Sequence, residues 1–211
     1  GNLGGGGFML IYTADSQEVS AIDYRSAAPV AATSEMYLTE SGVVRFGHLV
    51  NAVPGSVAGL VKAHKEHGKL SLKEVLRPAI QLARKGFPVS YDLNYVLDWG
   101  KDSMLANNAS KKKFYNPKDK PLPVASILKQ PKLARTLNII ANKGDQAFYE
   151  GEIADWIVED SLANGGLITK GDLANYSAKD RVPIESFYRG YKIVSMPPAA
   201  SGGIVLLQIL N

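Results

Sequence analysis

The chain has 211 residues, 45% of them hydrophobic and 21% charged, with a formal net charge of +4. That is apolar matter enough to bury a core in one large domain or two small ones, and the balance is wrong for disorder. There is no cysteine, which excludes a disulfide framework, a thiolate zinc site and a cysteine nucleophile.

Residues 8–12 and 19–25 are apolar, β-rich runs joined by the polar Thr13–Glu18, and read as a β-hairpin whose second strand ends on Arg25. Pro29 argues against continuation of that strand. Pro54-Gly55-Ser56 opens a helix with Val57, Leu60, Val61 and His64 at i, i+3, i+4, i+7 and Gly68 as its stop. Ser71 and Glu74 form a capping box for a second helix, with Val75, Leu76, Ala79, Ile80 and Ala83 as its buried stripe. Pro78 should kink or break it, and Gly86 with Pro88 should end it. A third helix is expected over residues 90–99. The polar stretch 101–127, with three prolines, reads as a surface excursion, and Lys111-Lys112-Lys113 within it as a solvated loop. Leu133, Leu137, Ile140 and Ala141 mark one further helix. Ile153, Ile157, Val158 and Leu162 mark another, stopped by Asn164-Gly165-Gly166. Thr169–Asp172 caps a short helix, and residues 179–187 and 190–196 alternate as two strands around Tyr188-Arg189-Gly190. Ile204–Leu210 is a strongly apolar segment without a terminator. Strands at the two ends and helices between them predict a layered α/β or α+β fold with helices on the sheet. No run of about 18 apolar residues is present, so no membrane-spanning helix is expected. Both ends read as cut inside a domain, which makes residues 1–211 a single incomplete domain.

Few residues carry chemistry. Gly-x-Ser-x-Gly is absent. Ser201, before Gly202-Gly203, reads as a helix cap. His64 and His67 lie one helical turn apart but lack the HExxH pattern, so a solvated helix end is the better reading than a metal site. Gly4-Gly5-Gly6-Gly7 precedes a strand and lacks Gly-Lys-Ser/Thr, which leaves close approach of backbone to a partner as its use. The basic run lacks the clustered basic face of a nucleic-acid binder. Arg25 is the best candidate. A guanidinium presents a planar fork that matches a carboxylate in two parallel hydrogen bonds. Its alternative is a structural ion pair with Asp23, and the residues alone leave the two open.

Read together, six segments resemble the large subunit of γ-glutamyltranspeptidases. They are Asn2–Phe8, Asp23–Pro29, Val53–Gly59, Asn164–Thr169 with Asp172-Leu173, Tyr188–Tyr191, and Ser195–Pro198 with Ser201–Gly203. The resemblance implies a partial αββα sandwich of the N-terminal-nucleophile hydrolase type, with residues 1–211 as the central part of the large subunit. It implies a precursor, periplasmic or secreted, that cuts itself so that a small subunit begins with a nucleophilic threonine. That subunit, absent here, would attack the γ-amide of glutathione and pass the γ-glutamyl group to water or an amino acid, without metal or cofactor. Arg25 matches the arginine that binds the glutamyl α-carboxylate; no catalytic residue falls within the chain, and the segment alone should be inactive. Two departures stand out: Ser26 replaces the family's usual Glu, and Ala200 replaces a common serine. Ser26 keeps open a related acylase of the cephalosporin or poly-γ-glutamate type, and a non-catalytic glutamate-binding scaffold is the alternative of another class.

Overall fold

The structure, a computed structural model, describes residues 2–39 and 42–211. It opens on strands β1 (Phe8–Thr13) and β2 (Glu18–Asp23), an antiparallel hairpin in the register Phe8↔Asp23 through Thr13↔Glu18. Two-residue strands β3 (Leu38–Thr39) and β4 (Gly42–Val43) pair beyond it. Helices α1 (Ser56–His67) and α2 (Leu72–Lys85) follow, then β5 (Phe87–Pro88) and α3 (Tyr91–Trp99). Short helices α4 (Lys101–Leu105) and α5 (Asn108–Phe114) lead to β6 (Ile127–Leu128), which pairs with β5. The second half comprises α6 (Pro131–Lys143), α7 (Gln146–Tyr149), α8 (Glu152–Ala163) and α9 (Lys170–Ala174). Strands β7 (Lys179–Arg181), β8 (Ile184–Tyr188) and β9 (Tyr191–Ser195) and helix α10 (Ser201–Leu210) close it.

The mixed α/β class expected from the sequence holds. The three-stranded antiparallel sheet runs β1-β2-β7, so β2 is central, and α1 packs on it. Ala21, Ile22 and Asp23 are buried as a consequence. The main core gathers Val57, Ala58 and Val61 of α1 with Phe148, Tyr149, Ile153, Ala154 and Leu173 from α7, α8 and α9. A second cluster joins Ala83 of α2 to Ala134 and Leu137 of α6.

Local signals translate directly. The Ser71–Glu74 and Thr169–Asp172 capping boxes both form. The reversal expected around Tyr188-Arg189-Gly190 is a two-residue loop between paired Tyr188 and Tyr191, with Arg189 at φ 49° and Gly190 at φ 85°, the left-handed pair that a type I′ hairpin demands.

Several expectations change. Pro78 does not end α2, which continues to Lys85. The inward stripe of α2 is Leu72, Leu76, Ile80 and Ala83, while Val75 and Ala79 face out. Leu60 of α1 is half exposed, and Ala58 takes the buried place beside Val57 and Val61. The triple-lysine run is helical in α5, where Lys111 pairs with Asp119 at 2.8 Å and Lys113 donates to the Lys129 carbonyl. Residues 179–187 are two strands, because Val182-Pro183 breaks the run. The first piece joins β2 and the second pairs with β9. Pro183 has no N–H to give a ladder, which explains the break. Ser201 is the first helical residue of α10. Ala200 occupies the cap position without a side-chain bond. Among the described residues no helix is long and apolar enough to cross a membrane.

Candidate functional site

The segment from Tyr24 to Val30 is clamped from four directions. Tyr24 continues the hairpin ladder by one residue, exchanging backbone bonds with Gly7 at 3.0 and 3.2 Å. The Arg25 N–H donates to Asp23 Oδ1 at 3.0 Å, and the Arg25 carbonyl accepts from the Tyr176 hydroxyl at 2.8 Å. Ala27 and Val53 exchange a pair of backbone bonds at 2.8 and 3.2 Å. The Val30 N–H donates to Asp172 Oδ1 at 2.8 Å.

The glycine-rich motifs find their use here. A Cβ on Gly6 would strike the backbone of Tyr24, Arg25 and Ser26; one on Gly55 would strike the Tyr24 carbonyl and the Tyr176 hydroxyl; one on Gly59 would strike the Tyr24 ring. The Gly5 carbonyl accepts the Gly55 and Ser56 N–H groups at 2.8 and 3.0 Å, and Tyr149 Oη accepts the Ala58 N–H at 3.2 Å. Helix α1 has no side-chain cap, so tertiary partners supply the acceptors that its first turn needs. Tyr149 also donates to the Pro54 carbonyl at 2.8 Å and stacks on Tyr176 with centroids 5.6 Å apart. Burial, and to a lesser degree the charge of Asp23, push the Tyr176 phenol up to about 12. It therefore stays a neutral donor to Arg25 across the physiological range.

The sequence left Arg25 between a ligand-binding role and an ion pair with Asp23. The structure assigns Asp23 elsewhere. Asp23 Oδ2 accepts from Nε and Nη2 of Arg181 at 3.1 and 2.9 Å, while its Oδ1 takes the Arg25 N–H. The Arg25 side chain is exposed, and its Nη1 reaches only the Ala199 carbonyl, at 3.4 Å. Among the described residues it forms no ion pair.

Arg25 lines a cleft of about 390 Å³ with Asp23, Ser26, Asp172, Tyr176, Lys179, Arg181 and Ala199 among its walls. Both acids are spent internally. Burial opposes the ionisation of Asp172, but hydrogen bonds from the Thr169 side chain and from the Val30 and Thr169 backbone outweigh it and hold its pKa below the ordinary value of 3.8. Arg25 and Lys179 are left without a carboxylate partner among the described residues. The cleft therefore offers an anion a planar fork and a nearby ammonium. Ser26 brings no charge to it.

A carboxylate bound more strongly in the folded state stabilises that state above its unfolded pKa, and the gain is lost as pH falls through the lowered folded value. Asp172→Asn keeps an acceptor for Val30 but drops the charge. It is expected to cost about 1 kcal/mol at pH 7. Urea melts of variant and parent should converge as pH falls below the ordinary Asp range.

Other sequence candidates stay apart from the cleft. His64 Nε2 bonds the Leu70 carbonyl at 2.8 Å, and His67 lies 3.9 Å from Glu66. Ser201 starts α10 and does not line the cleft. Arg181, Lys179 and Tyr176 were not singled out from the sequence. Sheet register and the distant Asp23 give Arg181 and Lys179 their meaning, and the Arg25 carbonyl gives Tyr176 its own; no local pattern announces these partners.

The family model described as gamma-glutamyltranspeptidase matches residues 1–211. The chain is 43% identical over 216 residues to the glutathione hydrolase proenzyme of Escherichia coli, covering all of this chain and 37% of that protein. The crystal structure of Helicobacter pylori γ-glutamyltranspeptidase superposes with a TM-score of 0.94 at 41% identity, over all of this chain and 61% of that one. The γ-glutamyltranspeptidase of Pseudomonas nitroreducens, solved with L-DON, gives 0.87 at 40% identity, over 98% of this chain and 61% of that one. The structural neighbours are N-terminal-nucleophile hydrolases, in line with the fold class the motifs implied. The chain thus spans a little over a third of the length of the curated relative, and across that span it belongs to the γ-glutamyltranspeptidase family.

Proposed function

We propose that the full-length protein cleaves γ-glutamyl amide bonds, glutathione's among them, and transfers the γ-glutamyl group to water or to an amino acid. Arg25 grips the α-carboxylate of that group. The observation that carries the reading is the Arg25 guanidinium: it stands exposed in a cleft whose two acids among the described residues are already engaged, Asp23 by Arg181 and Asp172 by Val30 and Thr169. The nucleophile is the N-terminal threonine of a small subunit that the precursor releases by cutting itself. It lies outside residues 1–211, and its own amine serves as base. The precursor acts in the periplasm or outside the cell, with no metal or cofactor. The name proenzyme carried by the curated relative supports processing. An acylase of the cephalosporin or poly-γ-glutamate type is the second reading. Ser26 favours it, since an acid beside Arg25 is missing.

Turnover of a γ-glutamyl p-nitroanilide separates these readings. The full-length, processed protein should release nitroaniline, and residues 1–211 expressed alone should release none. Turnover by the isolated segment would sink the external nucleophile. A full-length protein that processes itself yet turns over only other acyl anilides would favour the acylase.

A further inference from the structure

We infer that Arg181 is a positioning residue: by occupying the Asp23 carboxylate it keeps the Arg25 guanidinium free for the substrate. The inference rests on the γ-glutamyl reading above and goes beyond it, because Arg181 needs no contact with the substrate.

Asp23 closes β2 and Arg25 lies two residues on, and both line the cleft. Asp23 is 8% exposed, and a carboxylate so buried must be paired. Two arginines can serve it. The sheet decides between them: β7 is antiparallel to β2 in the register Ala21↔Arg181 and Asp23↔Lys179. Arg181 is thereby the diagonal neighbour of Asp23, within reach of a long side chain. It directs two donors, Nε and Nη2, at the single oxygen Oδ2. β7 is itself tied down, since Lys62 of α1 bonds Asp180 at 3.0 Å. With Asp23 satisfied, Arg25 has, among the described residues, only the Ala199 carbonyl to hold its side chain and gives that up readily. Without Arg181, the buried Asp23 charge recruits Arg25, and the substrate carboxylate must displace it.

The test uses the full-length, processed enzyme and a γ-glutamyl p-nitroanilide. Arg181→Gln should raise KM about tenfold while kcat stays within about twofold. Adding Asp23→Asn, which removes the charge but keeps an Oδ1 acceptor for the Arg25 N–H, should return KM close to that of the parent. A purely structural role for Arg181 would not be rescued in this way. If Arg181→Gln fails to mature, Arg181→Lys carries the same test with a smaller rise in KM and the same rescue. An unchanged KM in the Arg181 variant, or a raised KM that Asp23→Asn does not restore, overturns the inference. Arg25→Ala in the same assay keeps the two levels apart: a KM insensitive to Arg25 would refute the γ-glutamyl reading itself, whereas a sensitive one beside an insensitive Arg181 would refute only this inference.

Discussion

Replacing Arg25 by alanine in the full-length enzyme should raise KM for a γ-glutamyl anilide about 10- to 100-fold, the loss of a charge-assisted hydrogen-bond pair at about 1.5–3 kcal/mol. The magnitude follows from what the guanidinium does in the free protein. Among the described residues it has no ion pair to surrender and one long bond to the Ala199 carbonyl, so little of the substrate's binding energy is consumed in freeing it. Folding should be nearly untouched, because the side chain is exposed and the backbone of the residue makes the structural bonds. A melting temperature within a few degrees of the parent, beside the large change in KM, is the expected pattern. Arg25→Lys should recover only part of the loss, since an ammonium cannot present two parallel donors. Steady-state kinetics at fixed ionic strength checks both.

The second large effect is on folding. Gly55→Ala and Gly59→Ala should each destabilise the protein by about 3 kcal/mol or more. The reason is packing: Gly55 has φ −110°, which any residue adopts. A methyl there meets the Tyr24 carbonyl and the Tyr176 hydroxyl. Both atoms are engaged in the bonds that hold Tyr24 and Arg25, so neither can yield cheaply. Gly59 lies inside α1, where alanine would ordinarily gain about 1 kcal/mol; here its methyl meets the Tyr24 ring. Gly202 in α10 has no atom within 4 Å of an added Cβ and serves as the control. Gly202→Ala should be neutral or mildly stabilising. Urea unfolding of the three variants orders them, and a Gly55→Ala protein as stable as the parent would mean that the Tyr24–Arg25 segment is not held as described.

These two effects show what a sequence can and cannot disclose. Ser71–Glu74 and Thr169–Asp172 were legible because both partners of each box lie within one helical turn. The hairpin turn at Arg189-Gly190 was legible for the same reason. Arg25 was legible as a candidate because its chemistry stands out at the end of an apolar run. Whether it is free or paired is not, since Arg181, 158 residues from Asp23, decides it. Residues 179–187 read as one strand because alternation continues across Val182-Pro183. The change of sheet partner there depends on β2 and β9, which local pattern does not encode. On α2, the capping box marks where the helix starts, but periodicity alone turns Val75 and Ala79 inward as well. A helical stripe is only as narrow as the neighbour that covers it, and α6 selects Leu76, Ile80 and Ala83. Close approach of backbone is the use the sequence offers the four glycines at the start, and the structure supplies the object for two of them: the backbone of Tyr24, Arg25 and Ser26 for Gly6, and the Tyr24 ring for Gly7.

Binding of the γ-glutamyl α-carboxylate by Arg25 is measured by a two-by-two comparison. A γ-glutamyl p-nitroanilide and its analogue lacking the α-carboxylate would be assayed on the parent enzyme and on Arg25→Ala, with kcat/KM as the readout. The parent should prefer the carboxylated substrate by about 10- to 100-fold, and Arg25→Ala should show almost no preference. An Arg25→Ala enzyme that kept the full preference for the carboxylate would contradict the account.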